Sequence, residues 1–242
     1  MSSIDFSKRA LAPEKLDGLQ LDASDLHQIL ADLEWINKFL GNYWAIQKAI
    51  RPYIDETEVI KIVDLGCGSG GLLRHLARVF NQKKVHHQLI GIDFNPVSIA
   101  FAAEKSKGFE HIAFQVSDIM DESFEPPACD ILISSHFMYH FEDIAFAAKI
   151  GKWSKTTTKA LIISELERKY LAHWLFNNIA PKLNLHPITI QDGLTAIRGA
   201  FTKDELLAIL RATHFTAFTV EKPLLFRLIT TIHLEQTIMP SQ

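Results

Sequence analysis

The sequence predicts an α/β fold built on a doubly wound, mostly parallel sheet, and three observations carry that prediction. From Val59 onward, short β-rich runs (VIKIVDL, HQLIGID, HIAFQVS, CDILISS, KALIISEL) alternate with helical stretches (GLLRHLARVF, PVSIAFAAEKS, DIAFAAKIGKW), the order that parallel strands with helical crossovers require. The runs are near-continuously apolar rather than alternating, as befits a sheet covered on both faces. A glycine-rich turn, Val63-Asp64-Leu65-Gly66-Cys67-Gly68-Ser69-Gly70-Gly71, joins the first run to the first helix; there the backbone can come close to a ligand and the helix N-terminus points at it.

The elements follow in order. Residues 1–57 read as an N-terminal helical cap. Leu26, Ile29, Leu30, Leu33, Ile36 and Leu40 recur at helical spacing, so an amphipathic helix is expected from Ser24, as N-cap, to Leu40, with Gly41 as its stop and a second helix over Tyr43–Tyr53. Residues 58–242 form the α/β core. After Leu166 the regular alternation lapses, and residues 167–201 are expected to be an inserted lid or binding loop. A helix resumes at Thr202 with a capping box closed by Glu205, and two β-rich runs, FTAFTV and LLFRLITTIHL, end the pattern.

Composition narrows the partners. With 242 residues, 48% hydrophobic and 22% charged, the chain has ordinary globular usage, and one large domain accounts for its length. A net charge of −3 without any block of like charge supplies no phosphate-neutralising stripe, so no nucleic acid is expected and a small-molecule partner is favoured. Cys67 and Cys129 stand far apart outside any CxxC pair, which argues against a disulfide framework or zinc site and fits a reducing compartment. The start MSSIDFSKRALAPEK has no apolar stretch of export type, and Pro223 to Leu234 is short and interrupted by Arg227. The expectation is a cytoplasmic chain without membrane insertion, as a monomer or homodimer.

Which cofactor the turn holds needs the surrounding acids. Gly66, Gly68 and Gly71 satisfy GxGxxG, and Asp93 lies 22 residues past Gly71 at the end of the second run, so by pattern alone a nicotinamide dinucleotide is allowed. Against it stands Asp64, two residues before the first glycine, where a carboxylate attracts an ammonium group and repels a pyrophosphate. A further acid, Asp118, follows the third run, where a neutral or cationic ligand suits it better.

In order and spacing, DLGCGSGG, GIDFNP, SDIMD and CDILISSHFMYHF resemble the successive motifs of class I S-adenosylmethionine (SAM)-dependent methyltransferases. The resemblance implies a seven-stranded, Rossmann-like sheet with an antiparallel last hairpin. It implies that Asp64 and the turn with Gly66, Cys67, Gly68 and Gly70 surround the methionine part of SAM. Asp93 would take the ribose hydroxyls, Phe94 would pack on the adenine, and Asp118 with Ile119 would meet its edge; Ser134, at the end of the fourth run, joins this cofactor set. The PEKLDG…LADLEWINKFLG and DGLTAIRGAFTKDEL segments resemble a bacterial small-molecule subgroup associated with quinone-like, phenolic-lipid or polyketide acceptors. Where those relatives carry an arginine pair after the DG turn, this chain has Arg198-Gly199.

Methyl transfer from a sulfonium needs alignment and desolvation above all, with a base where the acceptor must lose a proton. His136 and His140 in SSHFMYHF are the candidate bases because imidazole titrates near neutral pH, and His140 is preferred since it follows the strand by enough residues to overhang the cleft. No HExxH glutamate or third ligand accompanies the pair, so no metal is expected. Glu165, ending the fifth run, could orient substrate or base, or meet solvent or Arg168. His173, Asp192 and Arg198 could close over the substrate from the insert. Trp35, Phe39, Tyr43 and Trp44 could wall an apolar pocket or simply be core. The reaction expected is methylation of an oxygen, with carbon second, on a small aromatic or apolar acceptor. A nicotinamide-dependent oxidoreductase and a SAM-binding protein without catalysis are the alternatives.

Overall fold

Near-continuous apolar runs have to be buried on two faces, and the computed structural model, which describes residues 5–12, 14–18 and 21–234, places them in one seven-stranded sheet. The first residues of the start sequence, Pro13 of the PEKLDG segment and the chain's last eight residues lie outside the described residues. Three helices precede the sheet: α1 (Lys15–Gly18), α2 (Ala23–Phe39) and α3 (Asn42–Ile50). Strand β1 (Ile60–Leu65) leads to α4 (Gly71–Lys83), β2 (His87–Asp93), α5 (Pro96–Lys105), β3 (Ile112–Val116) and β4 (Cys129–Ser135). Then come α6 (Asp143–Trp153), β5 (Thr157–Leu166), α7 (Tyr170–Ile179), α8 (Pro187–Gly199), α9 (Lys203–Arg211) and the hairpin β6 (Phe218–Leu224) and β7 (Arg227–His233).

The strand order is β3-β2-β1-β4-β5-β7-β6, with β7 antiparallel to both of its neighbours. Side chains alternate across it. Ile62, Ile131, Ile133 and Ile162 pack with Ile46, Leu73, Leu76 and Phe80 on one face, while Val63, Leu132, Leu161 and Ile163 pack with Phe146, Trp153, Phe201 and Leu210 on the other. Each such side chain, fully removed from water, stabilises the fold by about 1.5–3 kcal/mol. Order reverses between β1 and β4, so their carboxyl ends part and leave the crevice where open α/β sheets bind ligands.

Two expectations are corrected. The α2 cap is Asp22, whose carboxylate accepts the Asp25 amide at 2.8 Å, and Ser24 falls inside the first turn. More consequentially, residues 167–201 are not irregular, since most of them lie in α7 and α8. Local propensity hides α8, with Thr189, Gly193 and Thr195 in its interior; packing rescues it. A Cβ at Gly193 would stand 2.5 Å from Cε1 of Phe176 on α7, so glycine there lets the two helices close on each other. The Thr202–Glu205 capping box forms as expected, and Glu205 also pairs with the buried Arg168 guanidinium at 2.6 Å.

Candidate active site

The glycine turn is shaped by β1 and β2. Gly66 and Cys67 donate their amides to the Ile92 carbonyl at 2.8 and 3.1 Å, while Asp93, at the end of β2, accepts from the Gly68 and Asn95 amides at 3.0 Å each. Gly66, Gly68 and Gly70 all have positive φ. Gly70 sits at φ +70°, and a Cβ there would lie 2.7 Å from the Phe114 ring and 3.3 Å from Ala102. Gly70→Val is therefore expected to lower the unfolding free energy by about 2–4 kcal/mol, from overpacking and left-handed backbone strain together; urea unfolding monitored by circular dichroism checks it, and a wild-type midpoint would contradict it.

A cavity of about 1070 Å³ opens over the crevice, at the upper end of the roughly 300–1,000 Å³ range of small-molecule sites. Ten of the sequence-predicted residues line it. They are Asp64, Gly66, Cys67, Gly68, Asp93, Phe94, Asp118, Ile119, His136 and His140. Asp64 is 2% exposed, and its Oδ1 has no hydrogen-bond partner. Burial and the neighbouring Asp93 push its carboxyl up to about 8. An orphaned buried carboxyl beside an open glycine cradle fits a ligand bearing positive charge and hydrogen-bond donors.

Gly70, Ser134 and Glu165 do not line the cavity, and each has a local reason. Gly70 turns the chain into α4. Strand alternation points Ser134, fully buried, to the opposite face, and Ser135 lines the cavity instead. Glu165 shares Ser134's parity with respect to the sheet. Fully buried, it accepts the Phe137 and Met138 amides at 3.2 and 2.8 Å, and burial pushes its carboxyl up to about 7. It thereby tethers the turn that carries His136 and His140, and Arg168 is not its hydrogen-bond partner.

The two histidines part company. His136 has φ +55° and its Nε2 accepts from Nη1 of Arg227 at 2.9 Å, so its one free lone pair is engaged and burial beside a cation holds it well below the usual imidazole range. Held neutral and fixed by Arg227, it is the weaker of the two candidate bases. His140 lines the cavity against the Tyr139 ring at 4.3 Å between centroids. Trp35, Phe39 and Tyr43 also line the cavity, with Trp35 and Phe39 stacked at 5.0 Å; Trp44 does not. From the insert, Asp192 lines it and accepts the Lys15 and Leu16 amides at 2.9 Å each. His173 packs on Phe6, and the Arg198 carbonyl accepts from Ala10.

A family profile described as a methyltransferase domain matches residues 56–211. The chain belongs to the methyltransferase domain family. Among curated relatives, it is 35% identical over 122 residues to tocopherol O-methyltransferase of Arabidopsis thaliana and 30% identical over 121 residues to ajmaline N-methyltransferase of Rauvolfia serpentina. Those stretches are 49% and 48% of this chain but only 34% and 40% of the relatives' lengths. The fold is similar to that of a SAM-dependent methyltransferase from Aquifex aeolicus, at TM-score 0.58 and 14% identity, covering 89% of this chain and 100% of that one. It is similar also to human N-acetylserotonin methyltransferase solved with SAM, at TM-score 0.60 and 14% identity, over 88% and 56% of the two chains. SAM is the expected cofactor of this methyltransferase fold, and the orphaned Asp64, the glycine cradle and Asp93 fit it. No helix among the described residues is long and apolar enough to cross a membrane.

Sequence reasoning missed how the cap joins the methyltransferase core. Glu34 on α2 lines the cavity, accepts from Ser69 Oγ at 2.8 Å and pairs with the buried Arg74 of α4 at 2.5 Å. Arg9 joins the end of α8 to the histidine turn, donating to the carbonyls of Gly199, Tyr139 and Phe141 at 2.9, 2.7 and 2.9 Å. Arg227, too, was legible only as a lone charge in an apolar run.

Asp64 yields a prediction with a definite sign. With its carboxyl raised to about 8, it is mostly protonated at pH 7, and a cationic ligand beside it lowers that value. SAM binding at pH 7 is therefore expected to release up to about one proton. Calorimetry in two buffers of different ionisation enthalpy reads the number directly. Asp64→Asn should abolish the release, and its persistence in that variant would contradict the assignment.

Proposed function

We propose that this chain transfers the methyl group of SAM to an oxygen of a small, largely apolar acceptor, with an adjacent carbon as the second reading. The observation that carries this is one cavity lined together by the acids and glycines of the turn, by Phe137 and His140, and by the apolar side chains of Trp35, Phe39, Leu175 and Phe176. SAM, when bound, supplies a methyl group already activated on a cationic sulfur. The chain's own part is then to hold, align and deprotonate. Asp64 balances positive charge; Asp93, held by two amides, offers its remaining acceptor sites to hydroxyls; Phe94 and Ile119 present apolar surface to a base. His140 takes the proton of the acceptor, and the apolar lining excludes water. Relatives named for O- and N-methylation of small molecules support the reaction class, and membership of the methyltransferase family disfavours the nicotinamide alternative.

Incubation with isotopically labelled SAM and a series of phenols of increasing alkyl chain length tests the reading. The expected result is a labelled ether, located by mass spectrometry, with S-adenosylhomocysteine formed in equal amount. Label on ring carbon would select the second reading. SAM bound with no product from any phenol would favour a binding protein instead.

A further inference from the structure

The charge lining the cavity is lopsided. Among the described residues that line it there are seven carboxylate side chains and one Lys or Arg, Arg227. Away from the cofactor end, the acids already have partners. Glu34 pairs with Arg74, Glu167 with Lys169 and Lys222, and Glu14 accepts from the Tyr139 hydroxyl. Asp192 accepts two backbone amides.

Arg227 is different. It opens β7, is 3% exposed, and donates from Nη1 to three uncharged acceptors: Asn42 Oδ1 at 2.9 Å, His136 Nε2 at 2.9 Å and Ser164 Oγ at 3.2 Å. Among the described residues no carboxylate forms an ion pair with it, and its Nε and Nη2 have no hydrogen-bond partner. Glu165 on the adjoining strand attracts it from beyond ion-pair distance, but gives one oxygen to the Phe137 and Met138 amides and lies outside the cavity. Arg227 is also fixed in place. Asn42 accepts from Ser164 Oγ at 2.6 Å and donates to Asn37 and Ser135 at 3.1 and 2.9 Å, so one edge of the guanidinium is locked and the other is left for something else. A buried guanidinium with no carboxylate in direct contact is costly to a fold, and a ligand anion seated on it lowers that cost. The location suits this, because His136 links Arg227 to Phe137, which packs against Gly66 of the cofactor turn.

We propose that the methyl acceptor is bound as an oxyanion, its acidic oxygen seated on the Nε/Nη2 edge of Arg227, which places the acceptor among conjugated acids such as phenols, enols and aromatic carboxylic acids. What the anion becomes rests on the methyl-transfer reading; the anion site itself rests on Arg227. The acid's proton passes to His140 as the oxygen settles on Arg227, and the oxyanion so formed is the nucleophile that takes the methyl group; His136, whose Nε2 accepts from Arg227, keeps its proton on Nδ1 and stays neutral.

The test uses 2-naphthoate and its uncharged counterpart 2-naphthamide as probes, titrated calorimetrically into the full chain with and without S-adenosylhomocysteine. The wild type is expected to bind naphthoate about 10-fold or more tightly than the amide, the scale of a charged hydrogen-bond pair. Arg227→Met should erase that preference while S-adenosylhomocysteine still binds, which also shows that the variant folds. Asn42→Asp is the second variant: it sets a carboxylate of the same shape on Nη1, and should reduce the preference without removing the arginine. Equal affinity for the two probes in the wild type, no binding of either, or a preference that survives both substitutions would overturn the proposal. Failure to bind S-adenosylhomocysteine, with the naphthoate preference intact, would instead count against the methyltransferase reading alone.

Discussion

Substituting alanine for His140 is expected to lower methyl transfer about 100-fold or more while leaving SAM affinity near its wild-type value. The split between the two readouts follows from position. His140 lines the cavity beyond the cofactor turn, on a short turn held from behind by Glu165, and it takes no part in the hydrogen bonds that shape Gly66 and Gly68. His136, its neighbour in sequence, has its acceptor nitrogen engaged by Arg227 at 2.9 Å, which makes His140 the proposed base. Turnover is measured with the phenol that the labelled-SAM assay selects, and SAM affinity by calorimetry. Near-wild-type turnover in His140→Ala would remove it from the mechanism and leave an acceptor that ionises without a protein base.

The second large effect belongs to Asp93. Its two oxygens each accept one backbone amide at 3.0 Å, and it lines the cavity, where it is proposed to meet the ribose hydroxyls. Asp93→Ala removes those charged hydrogen bonds, each worth about 1.5–3 kcal/mol, and also frees the Gly68 amide that fixes the turn. SAM affinity is expected to fall roughly 10- to 150-fold. A calorimetric titration with unchanged affinity would discredit the ribose assignment while leaving the family membership untouched.

What could be read from the sequence was what is local. The apolar runs that became β1, β2, β4 and β5 announce a sheet buried on both faces because burial needs nothing but their own residues. Asp64, Asp93 and Asp118 converge on one cavity because each lies at or just past the carboxyl end of a parallel strand, and parallel strands bring their carboxyl ends to one edge. The losses have equally physical causes. Ser134 and Glu165 were assigned by closeness to that edge, but the two-residue period of a strand sends them to the face away from the cavity. The lid looked irregular because α8 depends on contact between Gly193 and Phe176 rather than on its own propensity. The pair Glu34–Arg74 and the hydrogen bond between Arg227 and His136 join residues 40 and 91 positions apart, and no local pattern encodes either.

Gly66 to Gly70, with carboxylates at Asp64, Asp93 and Asp118, are assigned to hold a nucleoside bearing a cationic sulfur. Parallel calorimetric titrations of the purified chain with SAM and with NADH at pH 7 test that assignment most directly. Saturable one-to-one binding of SAM, with no detectable heat from NADH, is the predicted result. Saturable binding of NADH, with SAM giving none, would contradict it.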